Sequence, residues 1–184
     1  MKKIIITGGC GFIGSHIVEY FFHKYKNANI VVLDKITYAA NINNLSNIYK
    51  SKRLNIIKKD ILDFKILKKI TKKADLVIHA AAESHVDNSF QLNDKFVLTN
   101  VLGTKNVMQA CKENKVNKIL HISTDEIYGE IFKGSFSEND RFDPSNPYSS
   151  SKAAAEMIVN GYIHSYNLPV IIVRANNIFG IRQH

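Results

Sequence analysis

Short runs of apolar, mostly β-branched residues alternate along the chain with longer stretches in which apolar residues recur at helical spacing. Each short run is apolar at successive positions, which indicates strands covered on both faces, as in a parallel sheet. The intervals between these runs suit β-α-β crossover units. The predicted strands are residues 3–7, 30–34, 54–58, 76–79, 118–123 and 170–174.

The stretches between the strands predict helices near residues 13–25, 63–71, 94–114 and 148–166. In the third helix Val97, Val101, Met108 and Cys111 recur at helical spacing, so we expect this stripe to face the core. Together the elements predict an α/β fold with a doubly wound, mostly parallel sheet of the Rossmann type. The stretch 129–147 contains two of the three prolines and is expected to be a surface loop beside the site.

Composition is consistent with one folded domain over residues 1–184, since 45% of the residues are hydrophobic and 22% are charged. The two cysteines, Cys10 and Cys111, are too few and too far apart for a disulfide scaffold or a CxxC zinc site. The apolar run after Lys3 is too short for a signal peptide or a membrane span. We therefore expect a cytoplasmic protein with no metal site and no membrane partner.

The formal net charge of +9 raises the question of nucleic-acid binding. Of the 25 basic residues only 4 are Arg, whereas proteins that recognise bases and phosphates favour the bidentate guanidinium of Arg. The lysines are also scattered along the chain. Charge alone speaks to solubility rather than to a specific partner, so we predict no nucleic-acid partner.

A glycine-rich turn follows the first predicted strand, in the stretch TGGCGFIGSH. Gly8, Gly11 and Gly14 would permit a tight turn, the approach of a pyrophosphate to the backbone, and close packing of helix on strand. Asp34 ends the next strand, where a carboxylate accepts hydrogen bonds from ribose hydroxyls and repels a 2′-phosphate. These residues favour NAD over NADP, although the neighbouring Lys35 leaves that choice open.

The stretch PYSSSK places Tyr148 and Lys152 four residues apart at the start of a helix, so both lie on one face. A nearby ammonium lowers the pKa of a phenol from its usual value near 10, which would make Tyr148 a general base. Thr124 ends the fifth strand at the carboxyl edge of the sheet, and its hydroxyl would share the substrate oxygen that Tyr148 deprotonates.

Asp125 and Glu126 follow at the same edge. Oxidation of an alcohol requires a base and a hydride acceptor but no further carboxylates, so two acids suggest another proton transfer, such as an elimination. As neighbours in an extended segment they would point in different directions, and different surroundings would keep one protonated and the other ionised. The alternative is that both are solvated loop acids or cap a turn.

Eight stretches resemble the extended short-chain dehydrogenase/reductases and, within them, the nucleoside-diphosphate-glucose 4,6-dehydratases. The glycine turn and the Tyr-Lys stretch belong to the whole superfamily, whereas LDKITYAANINNL, AAAESHVD and STDE are more specific to the dehydratases. Members are much longer, so the resemblance implies that most of a C-terminal substrate-binding region is absent from this chain. The stretches are TGGCGFIGS, VVLDKITYAANINNL, KKDILD, HAAAESHVDNSF, LTNVLGT, STDEIYGE, NPYSSSKAAAE and VRANNIFG.

The resemblance implies NAD-dependent dehydration of a dTDP- or UDP-glucose to the 4-keto-6-deoxy sugar nucleotide. Tyr148 would take the proton of the sugar 4-hydroxyl while hydride passes from C4 to NAD, and Lys152 would hold the nicotinamide ribose. Glu126 would then remove the C5 proton while Asp125 protonates the departing C6 hydroxyl, before hydride returns to C6. The implied catalytic residues are Thr124, Asp125, Glu126, Tyr148 and Lys152.

The resemblance also implies binding residues and a homodimer formed by helices 94–114 and 148–166. The implied substrate contacts are Ser84, Thr124 and Asn177, and Ile178 and Ile181 stand where bacterial members have Asn and Pro. For His79 and His85 we expect packing or hydrogen bonding. The implied cofactor contacts are Gly8, Gly11, Phe12, Ile13, Gly14, Asp34, Lys35, Thr37, Asp60, Ile61, Ala80, Ala81, Ala82, Ser84, Thr99, Tyr148 and Lys152.

Two other functions stay open at this point. A 4-epimerase or decarboxylase of the same superfamily would share Tyr148 and Lys152 but would not be expected to carry the Asp125-Glu126 pair. A non-catalytic NAD-binding module would show no turnover at all. Mass spectrometry of the reaction separates these functions, because only the dehydratase removes one water from its substrate.

Overall fold

Six parallel strands form one sheet in the computed structural model, which describes residues 1–183. The strands lie in the order β3-β2-β1-β4-β5-β6, so the chain winds outward from β1 in both directions and reverses between β1 and β4. This arrangement confirms the predicted doubly wound α/β fold, and each predicted strand is correct to within one residue at each end. The strands are β1 (Lys3–Thr7), β2 (Asn29–Asp34), β3 (Leu54–Lys58), β4 (Leu76–His79), β5 (Ile119–Thr124) and β6 (Val170–Ala175).

Helices connect the strands, and the predicted helices 13–25, 63–71 and 148–166 are confirmed to within one residue. The structure adds a short helix, α3, that the sequence pattern did not predict. The α-helices are α1 (Phe12–Lys24), α2 (Phe64–Thr71), α3 (Val86–Gln91), α4 (Asn93–Phe96), α5 (Thr104–Glu113) and α6 (Pro147–Tyr166). Short 3-10 helices cover Ile42–Leu45 and Asp125–Tyr128, and we call the second of these the acidic turn.

Local signals set the limits of α6, the longest helix. The side chain of Asn146 accepts a hydrogen bond of 2.8 Å from the backbone N–H of Ser149, and Pro147 occupies the first helical position. At the other end Asn167 adopts the left-handed conformation, with φ of 52°. The stretch 129–146 is irregular and mostly exposed, as predicted, and ends where this cap begins.

Apolar residues cover both faces of the sheet, as the continuous apolar runs predict. Along β1, Ile4 and Ile6 face a layer that includes Val18 and Phe22 of α1. Ile5 faces the opposite layer, which is built mainly with residues of α2, α5 and α6. All three isoleucines are fully buried. Two packed faces hold the sheet rigid, so its carboxyl edge is a fixed platform for functional side chains.

The predicted helix 94–114 is not one regular α-helix. A π-helical segment, Val97–Gly103, lies between α4 and α5. A π-turn contains more residues than an α-turn, and it therefore changes which residues of the sequence face the core. The predicted core stripe is correct for Met108 and Cys111, which are buried, but wrong for Val97, which is 54% exposed. Phe96 and Asn100 are buried in its place.

Among residues 1–183, no helix combines the length and the hydropathy that crossing a membrane requires.

Candidate active site

A cleft of about 350 Å³ lies at the carboxyl edge of the sheet, next to the reversal between β1 and β4. Every predicted cofactor residue outside α6 lines it, and these residues come from the glycine turn, the ends of β2, β3 and β4, and the π-helical segment. Glu83, within the expected stretch 80–84, also lines it, and the sequence did not indicate several further lining residues, among them Lys59, His85 and Gln183. The predicted set in the lining is Gly8, Gly11, Phe12, Ile13, Gly14, Asp34, Lys35, Thr37, Asp60, Ile61, Ala80, Ala81, Ala82, Ser84 and Thr99.

The glycine turn has the close packing that its spacing predicts. Gly8 has a φ of 71°, and a Cβ atom there would lie 2.7 Å from the Cα of Ala81. A Cβ atom on Gly14 would lie 1.9 Å from the carbonyl oxygen of Gly8. Gly11 is the N-cap of α1, and no side chain of the described residues caps this helix end. Its first N–H groups can therefore bind an anion at the cleft.

Replacing Gly14 with alanine is expected to destabilise the fold by about 3 kcal/mol, because the methyl group forces the turn away from α1. Dinucleotide binding is expected to be lost with the turn geometry. Thermal unfolding and calorimetric titration measure the two effects. Gly161→Ala in α6 is the matched control, since the added atom would meet no described residue within 4 Å apart from its chain neighbours and the backbone of its own helix. That change is expected to stabilise the helix by up to about 1 kcal/mol; equal behaviour of the two variants would contradict the prediction.

Asp34 is buried at the end of β2 with its carboxylate fixed by the backbone. One oxygen accepts a hydrogen bond of 2.9 Å from the N–H of Cys10 and the other accepts one of 2.7 Å from the N–H of Ile36. Each carboxylate oxygen retains a lone pair for a further donor, such as a ribose hydroxyl. The neighbouring Lys35 pairs with Asp60 at 2.8 Å, and this hydrogen bond raises the pKa of Lys35. Lys35 is therefore engaged with a carboxylate of its own.

Asn100 on the π-helical segment holds one wall of the cleft, and sequence reasoning missed it. Its side-chain oxygen accepts a hydrogen bond of 2.8 Å from the N–H of Glu83, and its NH₂ group donates to the carbonyl of Glu83 at 3.0 Å. The same NH₂ group donates to Ser151 on α6 at 2.8 Å. A polar residue inside the apolar stretch LTNVLGT was the available signal. Asn100 thus fixes the segment after β4 against α6.

Tyr148 lies in the first turn of α6, with its ring edge-on to Phe96 at a centroid distance of 6.4 Å. Burial, and next the negative charge of Glu126, raise the pKa of Tyr148 to about 12, while the Thr124 hydroxyl acts in the opposite direction. The prediction that the protein's own ammonium lowers this pKa is therefore wrong for this arrangement. Burial of the phenol is the largest cause of the raised pKa, and the charges of Glu126 and Asp125 act in the same direction.

Lys152 is buried one turn further along α6. Its Nζ donates a hydrogen bond of 2.7 Å to the carbonyl of Ile122 on β5, and burial lowers the pKa of Lys152 to about 8. The negative charge of Glu156 opposes that decrease. A lysine with this pKa exchanges its proton near neutral pH, which suits a group that assists proton transfer. Neither Lys152 nor Tyr148 belongs to the lining of the cleft.

The two predicted acids lie in the acidic turn and not in an extended segment, which corrects that expectation. Thr124 caps this turn, since its hydroxyl oxygen accepts a hydrogen bond of 3.3 Å from the N–H of Glu126. The carboxylates nevertheless have different neighbours. The charges of both act on Tyr148, that of Glu126 more strongly than that of Asp125. Glu126 also accepts a hydrogen bond of 3.5 Å from Asn146, whereas Asp125 lines a second cleft with Arg174. The structure thus gathers Thr124, Glu126 and Tyr148 at one edge.

The two remaining predicted substrate contacts, Ser84 and Asn177, are both exposed. Ser84 is exposed at the rim of the cleft. Asn177 is exposed after β6 and lines neither cleft, whereas its neighbour Ile178 lines the first. The predicted substrate contact of Asn177 has no counterpart in this geometry and stays a prediction.

The two histidines have the packing and hydrogen-bonding roles that the sequence predicts. His79 lies between the hydroxyls of Thr7 and Thr104, with N–O distances of 2.7 Å and 2.9 Å. Burial lowers the pKa of His79 to about 3, so the ring is neutral at physiological pH. His85 packs its ring against Tyr38 at a centroid distance of 5.4 Å. Within residues 1–183, no three His, Cys, Asp or Glu side chains cluster as metal ligands do.

Comparison of the sequence with family models gives a match over residues 5–184 to the family described as GDP-mannose 4,6 dehydratase. A protein of Dictyostelium discoideum described as dTDP-D-glucose 4,6-dehydratase is 46% identical over 197 residues. That match covers 100% of this chain and 45% of the relative.

Two solved structures show how far the similarity extends. The dTDP-glucose 4,6-dehydratase of Streptomyces venezuelae, solved with NAD bound, is 38% identical with a TM-score of 0.95, and the match covers 99% of this chain and 58% of the other. A UDP-N-acetylglucosamine 4-epimerase of Methanobrevibacter ruminantium is 33% identical with a TM-score of 0.92, over 100% of this chain and 57% of the other. The chain therefore spans about half the length of the relatives that it matches.

Proposed function

Because the chain belongs to the GDP-mannose 4,6 dehydratase family, we propose that it carries the NAD-binding and catalytic half of a nucleoside-diphosphate-glucose 4,6-dehydratase. Residues 1–184 form the Rossmann domain with the catalytic residues, and most of the substrate-binding region corresponds to the part of the relatives that this chain does not span. The observation that carries the proposal is the acidic turn beside Tyr148, which adds a base and an acid to the groups that alcohol oxidation requires.

The first cleft has the chemistry that NAD requires. Its turn admits no Cβ atom at Gly8 or Gly14, α1 directs N–H groups toward it, and Asp34 presents a fixed carboxylate. The glycine turn and the N–H groups of α1 would hold the pyrophosphate, and Asp34 would hold the adenosine ribose. Bound NAD supplies a reversible acceptor for the two electrons that leave C4 and later reach C6. The dehydratase of Streptomyces venezuelae, whose fold is so similar, binds NAD, and this supports the assignment.

Replacing Asp34 with asparagine is expected to weaken NAD binding about tenfold, because a neutral amide is a poorer acceptor for two ribose hydroxyls. The same change removes the repulsion of a 2′-phosphate, so the preference for NAD over NADP is expected to fall. Calorimetric titrations with both dinucleotides measure the ratio of the two dissociation constants. Asp143→Asn, in the exposed loop, is the control. An unchanged ratio in Asp34→Asn would refute the role of Asp34 in cofactor choice.

The chain's own groups divide the proton transfers of the proposed reaction. Tyr148 takes the proton of the sugar 4-hydroxyl, with Thr124 sharing that oxygen and Lys152 supporting the phenolate. The resulting 4-ketone acidifies the C5 hydrogen, which Glu126 removes. Asp125 donates a proton to the C6 hydroxyl, which departs as water while the C5–C6 double bond forms. The different neighbours of Asp125 and Glu126 support their separate roles.

The proposal is tested by incubating the chain with NAD and either dTDP-glucose or UDP-glucose and measuring the mass of the product by mass spectrometry. Loss of one water supports the dehydratase and identifies the preferred base. The similarity to the 4-epimerase of Methanobrevibacter ruminantium makes an epimerase the second candidate, and that reaction leaves the mass unchanged while inverting C4. Unaltered substrate with intact NAD binding would identify a binding module and reject the proposed activity for this chain.

We further propose that the chain forms a homodimer through the π-helical segment and α6, which pack against each other. Val97, Leu98 and Leu102 on the segment and Met157 on α6 are exposed apolar side chains. Exposed apolar residues concentrated on adjacent elements are typical of a protein interface. Analytical ultracentrifugation is expected to show a dimer for the chain and a monomer for Leu98→Glu. Ile171→Glu, at an exposed position on β6, is the control; a monomeric unmodified chain would reject this interface.

A further inference from the structure

Arg174 on β6 connects three parts of the molecule, and it does not belong to the predicted site. It is in register with Ser123 on β5, one residue before the capping Thr124. Its Nε donates to the two carboxylate oxygens of Glu156 at 3.0 Å and 3.2 Å, and its Nη2 also bonds to Glu156. Its Nη1 bonds to the hydroxyl of Tyr128 and to the carbonyl of Glu138, the latter at 2.8 Å.

Glu156 joins this cluster to the helix that carries Tyr148 and Lys152. Its carboxylate is fully buried, so it depends on the guanidinium for compensation of its charge. Glu156 follows Lys152 by four residues on α6 and faces the same way, and its charge acts on the Lys152 ammonium. The position of Arg174 relative to α6 is therefore fixed by a buried ion pair.

Tyr128 joins the cluster to the acidic turn, of which it is the last residue. Its ring stacks on Phe136 at 5.1 Å and meets Phe142 edge-on at 6.0 Å. The guanidinium of Arg174 lies 5.1 Å from the centroids of both the Tyr128 and Phe142 rings. These contacts also hold the otherwise exposed stretch 129–146 against the sheet.

Ile127 of the acidic turn packs in a buried apolar cluster with Ala153 of α6, and apolar packing of this kind does not set the direction of a carboxylate. The other polar contacts of the turn are weak. The hydrogen bond from Asn146 to Glu126 is 3.5 Å long, and the bond from Thr124 to Asp125 is 3.4 Å and stays within the turn. A charged donor in a rigid planar fork holds its acceptors more firmly than such contacts do. The direction of the Glu126 carboxylate therefore depends on what holds Tyr128.

We propose that Arg174 is a positioning residue for this site: through Glu156 and Tyr128 it fixes the acidic turn relative to α6, so that Glu126 faces Tyr148. The proposal rests on the proposed function for the meaning of that geometry. Arg174 need not touch the sugar or the cofactor, and it does not line the first cleft. Its role is to hold Tyr148, which acts in the oxidation, and Glu126, which acts in the elimination, in a fixed position relative to each other.

The test removes only the link to the turn. Tyr128→Phe deletes the hydroxyl that bonds to Arg174 and keeps both the ring contacts and the ion pair. Tyr162→Phe makes the same chemical change on α6, where it deletes a 2.8 Å hydrogen bond to Gln109 far from the turn. The unmodified chain and both variants are labelled with ¹³C at tyrosine Cζ. The resonance of Tyr148 is assigned as the one that is missing from the spectrum of Tyr148→Phe.

Tyr128→Phe is expected to shift the Tyr148 resonance and to increase amide hydrogen exchange in the acidic turn about tenfold. Tyr162→Phe is expected to change neither. An unchanged Tyr148 resonance and unchanged exchange in Tyr128→Phe would overturn the proposal. Arg174→Lys should shift the same resonance, because one ammonium cannot replace the fork; if it does not fold, Tyr128→Phe still decides the question.

The functional consequence is a change in the partition of the reaction, by which we mean the amount of reduced cofactor that accumulates for each water lost. With dTDP-glucose and NAD, Tyr128→Phe is expected to accumulate more reduced cofactor per water lost than Tyr162→Phe does, while NAD affinity stays the same in both. An unchanged partition in an active chain would show that the turn needs no such support, against the proposal. The resonance and exchange measurements involve neither sugar nor cofactor, so failure of the proposed function leaves them valid.

Discussion

Replacing Glu126 with glutamine is expected to reduce the loss of water about 10²–10⁴-fold while oxidation at C4 continues. The amide keeps the size of the side chain and a hydrogen-bonding group for Asn146, but it cannot accept the C5 proton. The reaction should therefore stop after the first stage, with reduced cofactor and ketone accumulating. Absorbance of the reduced nicotinamide and the mass of the sugar nucleotide report the two stages separately.

Glu130→Gln is the control for this change, since its carboxylate lies only four residues further along the chain and is exposed. It is expected to turn over like the unmodified chain. Normal water loss in Glu126→Gln would remove Glu126 from the mechanism. Loss of both stages would instead assign Glu126 to the oxidation, because its charge already acts on Tyr148.

The second large effect is expected for Tyr148→Phe, in which oxidation at C4 should fall about 10²–10⁴-fold. Burial and Glu126 raise the pKa of Tyr148, so the phenol is protonated at neutral pH and its ionised fraction grows as pH rises. Turnover of the unmodified chain should therefore increase with pH through the alkaline range, and the residual turnover of Tyr148→Phe should lack this dependence. The initial rate of cofactor reduction, followed against pH, is the measurement.

Tyr166→Phe, on an exposed turn of the same helix, serves as the comparison. It should retain both the rate and the pH profile. If Tyr148→Phe keeps the alkaline dependence, another group is the base, and Lys152 is the first to examine because its pKa lies at about 8. NAD affinity measured alongside shows whether the variant still assembles the cleft.

The sheet could be predicted from the sequence because its strands carry their signal locally. Runs such as Ile4 to Ile6 are apolar at every position, and both faces of the sheet bury them. The glycine turn was equally readable, since the spacing of Gly8 and Gly14 reflects a contact between residues six apart in the chain, although Gly8 also packs against the distant Ala81. The cofactor cleft followed from these two features.

What the sequence did not show depends on contacts between distant residues. The buried pair of Arg174 and Glu156 has no local pattern, since each residue alone reads as an ordinary charged position. The pKa of Tyr148 was predicted in the wrong direction because the spacing to Lys152 was visible in the sequence, whereas the burial of the phenol and the approach of Glu126 depend on tertiary structure. Val97 was misplaced for a third reason, since the additional residue in the π-helical segment changes the facing of residues at its start relative to those in α5.

The π-helical segment has a consequence for how this chain tolerates change in length. It turns Asn100 toward Glu83 and brings Gly103 so close to Ile61 that a Cβ atom there would lie 2.4 Å from its Cδ1. Deleting one residue between Val97 and Asn100 would let the segment return to α-helical winding while α4 and α5 keep their orientation, because a π-helical segment holds one residue more than the α-helix it replaces. The same deletion inside α5 would rotate one side of that helix by about 100° relative to the other. A deletion scan should therefore find this segment more tolerant of a lost residue than α5.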